Sequence, residues 1–217
     1  MDDINRLIMN LSWDSSEEEK NRAIEKLLLI EDKDMHLLLQ PHDKGVWDGA
    51  AEVITRLGYP KIKVILPGLL EWLQDMTWPG ANQIAQLLGQ LGDPIVPYVK
   101  AILKDHKGDG EWIEWLFEHI IDGWDKEKIA QIQEELLVIS NGRVNDLKAL
   151  STFYKHNFIA SEEFDRQLTI KRNGAIAELA DLDKKYQKEN KQYLSYCGNK
   201  SILQEYIKEI EELRRPI

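Results

Sequence analysis

Residues 65–75, ILPGLLEWLQD, recur further along the chain as residues 95–105, IVPYVKAILKD. The proline, the aliphatic positions and the closing Leu-x-Asp coincide in the two segments. A shorter motif, WDGA at residues 47–50, returns as WPGA at residues 78–81. Internal repetition with a period of about 30 residues is typical of proteins built from stacked supersecondary units. This repeat decides the fold class.

Each repeat predicts a pair of helices. A proline is accepted in the first turn of a helix, because the N–H that it lacks has no intrahelical partner there. Aliphatic residues at 62, 65, 66, 69, 70 and 73 follow the spacing of one buried helical stripe. Small residues at 80, 81 and 85 let the second helix approach closely, and Gly92 ends it. One helical pair cannot bury both of its faces, so we expect neighbouring pairs to stack.

The stacked pairs predict a continuous apolar core. We expect it to contain Leu69, Trp72, Leu73, Ile84, Leu88, Val99, Ile102 and Leu103. The same periodicity predicts helical pairs at about 3–29, 34–58, 62–92, 94–122 and 126–156. Ser16 and Glu19 have the spacing of a capping box that opens the second helix. Sustained period-2 alternation is missing from the sequence, so the predicted fold class is all-α, with stacked helical hairpins.

Composition divides the 217 residues into two parts. All seven tryptophans precede residue 125. The first 150 residues hold 16 Lys+Arg against 27 Asp+Glu, a balance of −11, and the remainder has a balance of +1. Asn141-Gly142 is a helix-stop dipeptide. We therefore expect a repeat domain at 1–142 and a C-terminal helical hairpin at 143–217.

Several protein classes are disfavoured by the composition. The single cysteine, Cys197, excludes a disulfide framework and a cysteine-rich zinc site. No apolar run reaches 18 residues, and the first ten residues have no basic region followed by a signal-type apolar run. We therefore expect a cytoplasmic protein with no membrane span.

The C-terminal part predicts two helices separated by Gly198. The first spans about residues 161–196, with an apolar stripe of Phe164, Leu168, Ile176, Leu179, Leu182, Tyr186 and Tyr193. Gly198 is expected to stop it, and Ser201 with Gln204 has the spacing of a capping box for the last helix. The seam of this hairpin could close on itself, dock on the repeat domain as a cap, or dimerise. We favour the cap, because a stack of helical pairs needs its open face covered.

The repeat segments resemble a known architecture. LPGLLEWLQD at 66–75, WPGANQIAQLLGQLGDP at 78–94 and VPYVKAILKD at 96–105 resemble HEAT-type helical repeats. More narrowly, the segments resemble a small bacterial family catalogued as a domain of unknown function, over about residues 30–125. The chain departs from standard HEAT repeats in its short period and in lacking the usual arginine of the second helix. The resemblance implies an αα-superhelix and implies no activity.

No catalytic motif occurs in the sequence. It contains no G-x-S-x-G, no H-E-x-x-H, no phosphate loop and no dinucleotide fingerprint. The stretch DHKGDGE at 105–111 lacks the spacing of a calcium loop and is expected to be an inter-helix loop. Glu118, His119 and Asp122 lack the second E-x-x-H motif that a di-iron site needs. We therefore expect a protein that is not an enzyme and binds no metal and no organic cofactor.

The clearest candidate binding residues lie between positions 111 and 122. An acidic ridge at i, i+3, i+7 and i+11 of one helical face consists of Glu111, Glu114, Glu118 and Asp122. Such a run is either a solvated face or a patch for a basic partner. Trp112 and Trp115 share the helix, and each is either core or an aromatic anchor at an interface. We expect Trp115 to be the anchor.

Three functions are compatible with these features. The first is a non-catalytic protein-binding module, such as an immunity or antitoxin-like protein that covers a basic partner. The second is a HEAT-like nucleic-acid-processing enzyme, which the balance of −11 disfavours because binding phosphates requires a basic groove. The third is a structural scaffold that assembles through the tail. We favour the first, with a protein partner and no nucleic acid or membrane.

Overall fold

The structure, a computed structural model, describes residues 3–189 and 193–215. Every regular element within these ranges is helical, so the all-α prediction is confirmed. The chain forms two compact units, unit 1 at Met1–Ala149 and unit 2 at Leu150–Ile217. Among the described residues, no helix has the length and apolarity that crossing a bilayer requires.

Ten α-helices begin in unit 1. They are α1 (Ile4–Met9), α2 (Glu17–Leu27), α3 (Trp47–Leu57), α4 (Leu66–Glu71), α5 (Ala81–Gly89), α6 (Val96–Asp105), α7 (Gly110–His119), α8 (Lys126–Gln131), α9 (Gln133–Ser140) and α10 (Asp146–Lys155). Short 3-10 helices connect them at Asp32–Leu38, Lys44–Val46, Lys61–Ile65, Trp72–Gln74, Asp93–Ile95 and Ile121–Gly123. Two long helices, α11 (Ser161–Glu189) and α12 (Tyr193–Leu213), belong to unit 2.

The helix starts follow the local sequence signals. The Ser16 side chain accepts from the Glu19 backbone N–H, and the Glu19 carboxylate accepts from the Ser16 N–H. This confirms the predicted capping box of α2. A proline stands in the first turn of α4 and of α6, as the repeat predicts. The first predicted helix of the 34–58 pair is instead a 3-10 helix at Asp32–Leu38, followed closely by Pro41, which disfavours helical geometry in the residue before it.

The predicted burial of the core residues is confirmed. The eight residues expected there are all buried: Leu69, Trp72, Leu73, Ile84, Leu88, Val99, Ile102 and Leu103. Three of the buried tryptophans of unit 1 also satisfy their indole N–H groups on backbone carbonyls elsewhere in the unit. Trp47 donates to the Pro41 carbonyl, Trp72 to the Pro79 carbonyl and Trp112 to the Leu70 carbonyl. Each indole therefore fills the core and fixes a neighbouring segment at the same time.

The two WxGA motifs bring helix starts into close contact with other elements. A Cβ atom at Gly49 would lie 2.7 Å from the Leu11 Cβ and 2.9 Å from the Leu11 carbonyl oxygen. A Cβ atom at Gly80 would lie 2.6 Å from the Ala51 Cβ, and the Gly80 φ of +79° is itself a conformation that side chains rarely adopt. The glycine of each motif is therefore required by packing.

Unit 2 corrects the predicted position of the helix break. The last helix, α12, begins at Tyr193 and runs through Gly198 and Ser201, so neither residue marks a helix end. A mid-helix glycine costs about 1 kcal/mol relative to alanine. Side-chain contacts along α12 offset this cost: the Tyr196 hydroxyl donates to the Asp183 carboxylate at 2.6 Å, and Lys200 donates to the same carboxylate at 3.0 Å. These bonds stabilise α12 as a continuous helix paired with α11.

The seam between α11 and α12 differs in one position from the predicted stripe. Phe164 and Leu168 are buried as expected, but Ile176 is 40% exposed and Ala175 is buried in its place. The two helices pack against each other, and Tyr186 stacks on Tyr196 with ring centroids 4.0 Å apart. The side chain of Tyr193 lies outside the described residues. Docking of the hairpin as a cap stays a prediction.

Replacing Gly49 by alanine is expected to destabilise unit 1. The new methyl group meets the Leu11 backbone, which cannot move aside as a flexible side chain would, and overpacking of this kind costs about 1–3 kcal/mol. Urea unfolding followed by tryptophan fluorescence measures the effect, because all seven tryptophans lie in unit 1. The control is Gly108→Ala, whose added methyl group has no atom within 4 Å. Equal midpoints for both variants would contradict the packing role of Gly49.

Candidate binding surface

Helix α7 has a buried face and a solvent-facing side. The buried face consists of Trp112, Ile113, Leu116 and Phe117. Glu111, Glu114, Trp115 and Glu118 occupy the outer side, and each is exposed or half-buried. Asp109 starts the helix by accepting a hydrogen bond from the Trp112 backbone N–H at 3.1 Å. The structure therefore brings four of the five predicted binding residues together on one helical surface.

The three carboxylates of this surface differ in their charge environment. Glu114 forms an ion pair with Lys148 at 2.7 Å, and both side chains are about one-third exposed. Glu111 and Glu118 are exposed and have no ion-pair partner among the described residues. A positive charge brought to this surface therefore meets two carboxylates that no cationic side chain of the described residues already neutralises.

The fifth predicted residue, Asp122, is not on the same helix. Helix α7 ends at His119, because Ile120 has a φ of −130° and a ψ of −63°. Asp122 is exposed in the following 3-10 helix, Ile121–Gly123. The predicted i+11 alignment is therefore wrong, and the acidic ridge on the helix is limited to three carboxylates. The change of backbone direction at Ile120 takes Asp122 away from the ridge, while Ile120 and Ile121 both stay buried.

The two tryptophans of α7 have different roles. Trp112 is 3% exposed, and its indole N–H donates to the Leu70 carbonyl at 3.0 Å. It is a core residue, one of the two possibilities open from the sequence. Trp115 is half-buried and stacks on His119 with ring centroids 5.9 Å apart. Its indole N–H is buried and meets no acceptor of the described residues, whereas part of the ring stays accessible. Trp115 is therefore the aromatic side chain of α7 that reaches the surface.

A second aromatic group, which sequence reasoning missed, lies where α3 and α5 begin. Lys44 places its ammonium group 5.3 Å from the Trp47 ring centroid and 5.7 Å from the Trp78 ring centroid. Trp13 joins the same edge, because its indole N–H donates to the Asp48 carboxylate at 2.9 Å. Trp13 lies outside the repeat, so the repeat comparison could not identify it. The available signal was a tryptophan in a polar stretch, SWDSSEEE at residues 12–19.

Local hydrogen bonds stabilise the carboxylates of Asp75 and Asp43 at this edge. Hydrogen bonds from the Thr77 hydroxyl and backbone N–H lower the pKa of the Asp75 carboxyl below its usual value, and nearby Lys44 lowers it further. Asp43 accepts from the Gly45 backbone N–H at 2.8 Å, which shapes the turn that carries Lys44. Asp75 therefore remains ionised at neutral pH and below it.

The other titratable residues within 3–189 and 193–215 form no recognisable centre. Among the described residues, no group of three or more His, Cys, Asp or Glu side chains is arranged to hold a metal ion. The DHKGDGE stretch connects α6 to α7, as expected of a loop. Cys197 is half-buried within α12 rather than in the predicted turn.

Comparison with known proteins identifies a family. Residues 39–149, just over half of the chain, match the family described as Domain of unknown function (DUF5071). The chain belongs to this family. The DUF5071 domain begins before α3 and ends at Ala149, the last residue of unit 1. It contains the outer surface of α7, but α1, α2 and Trp13 precede it. No curated protein and no solved structure shows significant similarity to the chain.

Phenylalanine replacements separate the two tryptophans of α7 inside the DUF5071 domain. Trp112→Phe removes the hydrogen bond to the Leu70 carbonyl, and Trp115→Phe removes an N–H with no acceptor. We expect Trp112→Phe to lower the free energy of unfolding by at least about 1 kcal/mol more than Trp115→Phe. Urea unfolding followed by far-UV circular dichroism measures both. Equal losses would show that the Trp112 hydrogen bond contributes nothing.

Proposed function

We propose that unit 1 is a non-catalytic protein-binding module that receives a basic protein on the outer surface of α7. The observation that carries the proposal is the position of Trp115, which is half-buried on α7 between Glu111 and Glu118 in the helical sequence. Interfaces concentrate their binding energy on a few aromatic and charged side chains, among which tryptophan is enriched. An aromatic side chain bordered by unpaired carboxylates is complementary to a basic, partly apolar surface.

The overall charge of the unit supports the same partner class. The first 150 residues carry a balance of −11, whereas the remainder carries +1. A field of one sign over a whole unit steers an oppositely charged protein toward it and raises the association rate. The same charge argues against nucleic acid as the ligand, because phosphates require basic side chains.

The proposal includes a fold and a biological setting. The repeated segments support stacking of the helical pairs of unit 1 as a HEAT-like αα-superhelix, an architecture that makes extended binding surfaces. A bacterial immunity or antitoxin-like role fits an acidic protein that covers a basic enzyme. The single cysteine is compatible with the reducing cytoplasm, where we place the protein. The partner is therefore expected among basic proteins of the same cell.

Charge reversal at α7 tests the proposal. The partner is first captured from the native host and identified by mass spectrometry, and its binding is then followed by surface plasmon resonance. We expect the double variant Glu111→Lys and Glu118→Lys to slow association by about tenfold or more at low salt, and less at high salt. We expect Trp115→Ala to act mainly on the dissociation rate.

A matched control changes the same net charge elsewhere. Glu25 and Glu52 lie on α2 and α3, where they pair with Arg56 at the surface. The double variant Glu25→Lys and Glu52→Lys should slow association much less than the α7 pair. Equal effects of the two pairs would mean that net charge alone guides the partner. If binding did not change with salt, with charge reversal or with Trp115→Ala, the outer surface of α7 would not be the binding site.

A further inference from the structure

Trp13 is a tryptophan that the fold holds at the surface. Its side chain is 57% exposed, which is unusual for a residue that is mostly buried in folded proteins. Two bonds fix it: the indole N–H donates to Asp48 at 2.9 Å, and the backbone N–H donates to the Gly45 carbonyl at 3.0 Å. The ring is therefore held in place while much of its surface stays open to solvent.

The bond to Asp48 changes what the ring attracts. An indole N–H that donates to a carboxylate forms a charge-assisted hydrogen bond. Negative charge at the N–H edge raises the electron density of the ring, and the ring face attracts cations through its quadrupole. Trp13 is therefore more attractive to a cation than an indole that faces water alone.

The same edge of unit 1 already holds a cation on indole rings. Lys44 lies over both Trp47 and Trp78, at 5.3 and 5.7 Å from their ring centroids. The turn that carries Lys44 also contains Gly45, which bonds to Trp13. The Lys44 contacts therefore place a cation on indole rings within this chain. An outside cation on Trp13 would make a contact of the same kind.

The charges around Trp13 favour a cation over an anion. Asp14 is exposed, and its carboxylate has no ion-pair partner among the described residues. The Asp48 carboxylate accepts from the Trp13 indole N–H. Glu17 is exposed and forms an ion pair with Lys20, and the Lys20 ammonium group also donates to the Trp13 carbonyl at 3.5 Å. The lysine charge is thus already engaged, and the carboxylates beside the ring are in excess.

We propose that this edge of unit 1 binds an arginine side chain of a protein partner, with the guanidinium on the exposed face of Trp13 and beside the Asp14 carboxylate. A planar guanidinium suits both contacts, because it stacks on aromatic faces and bonds to carboxylates through several N–H groups. The site is separate from the outer surface of α7 and does not depend on the function proposed for it. Trp13 and Asp14 lie before residues 39–149, the part of the chain that matches the family, whereas Asp48 lies within it.

Nuclear magnetic resonance of the full chain can test the site with a defined probe. The indole N–H resonances of the seven tryptophans are observed while acetyl-arginine amide is added, and Trp13→Phe identifies the Trp13 resonance. The control ligand is acetyl-citrulline amide, which has nearly the same shape and no charge. We expect the Trp13 resonance to move in a saturable way with the arginine probe and much less with the citrulline probe. The Trp115 resonance reports separately on α7.

Variants that remove one negative charge and keep the size of the side chain sharpen the test. Asp14→Asn and Asp48→Asn are each expected to weaken binding of acetyl-arginine amide by about two- to fivefold, and the exposed Glu71→Gln serves as the control with no effect. The proposal is wrong if the Trp13 resonance does not move, or if it moves equally with both probes. It is also wrong if a proline-rich peptide shifts this resonance and the arginine probe does not.

Discussion

The indole of Trp72 is the contact on which most of unit 1 depends. The side chain is fully buried, its N–H donates to the Pro79 carbonyl, and its ring meets that of Trp47 edge to face. The 3-10 helix that contains it contacts both α5 and α7. Trp72 therefore fixes the turn that precedes α5 and packs on the start of α3, and the 3-10 helix that contains it supports α7. The outer surface of α7 is thus positioned by the core beneath it rather than by its own exposed residues.

Glycine makes that contact possible. A side chain at Gly80 would meet Ala51 and the Trp47 carbonyl, and would also lie 3.5 Å from the Trp72 ring. The close approach of α5 to α3 thus requires that Gly80 has no side chain, whereas the packing of the indole rings requires large side chains. In both WxGA motifs the glycine lets a helix start approach another segment closely, Leu11 at Gly49 and Ala51 at Gly80.

Much of this arrangement could be predicted from the sequence, because repetition reports the same buried positions twice. Leu73 and Leu103 occupy equivalent places in the two repeats, and both are buried. Residues outside the repeat have no equivalent position elsewhere in the chain with which to compare them. The exposure of Trp13 depends on its bond to Asp48, 35 positions away, and the continuation of α12 through Gly198 depends on side chains of α11. Asp122 was misplaced because helical spacing cannot show where tertiary packing ends a helix.

The most direct test of the central role of Trp72 is hydrogen exchange in the turn between Trp72 and α5. A surface turn usually exchanges quickly, but here the Trp78 amide donates to the Asp75 carbonyl and the Ala81 amide to the Trp78 carbonyl. If the Trp72 indole fixes the turn through Pro79, the amides of Trp78 and Ala81 should exchange as slowly as those within α5. Exchange as fast as in the 106–109 loop would contradict the account.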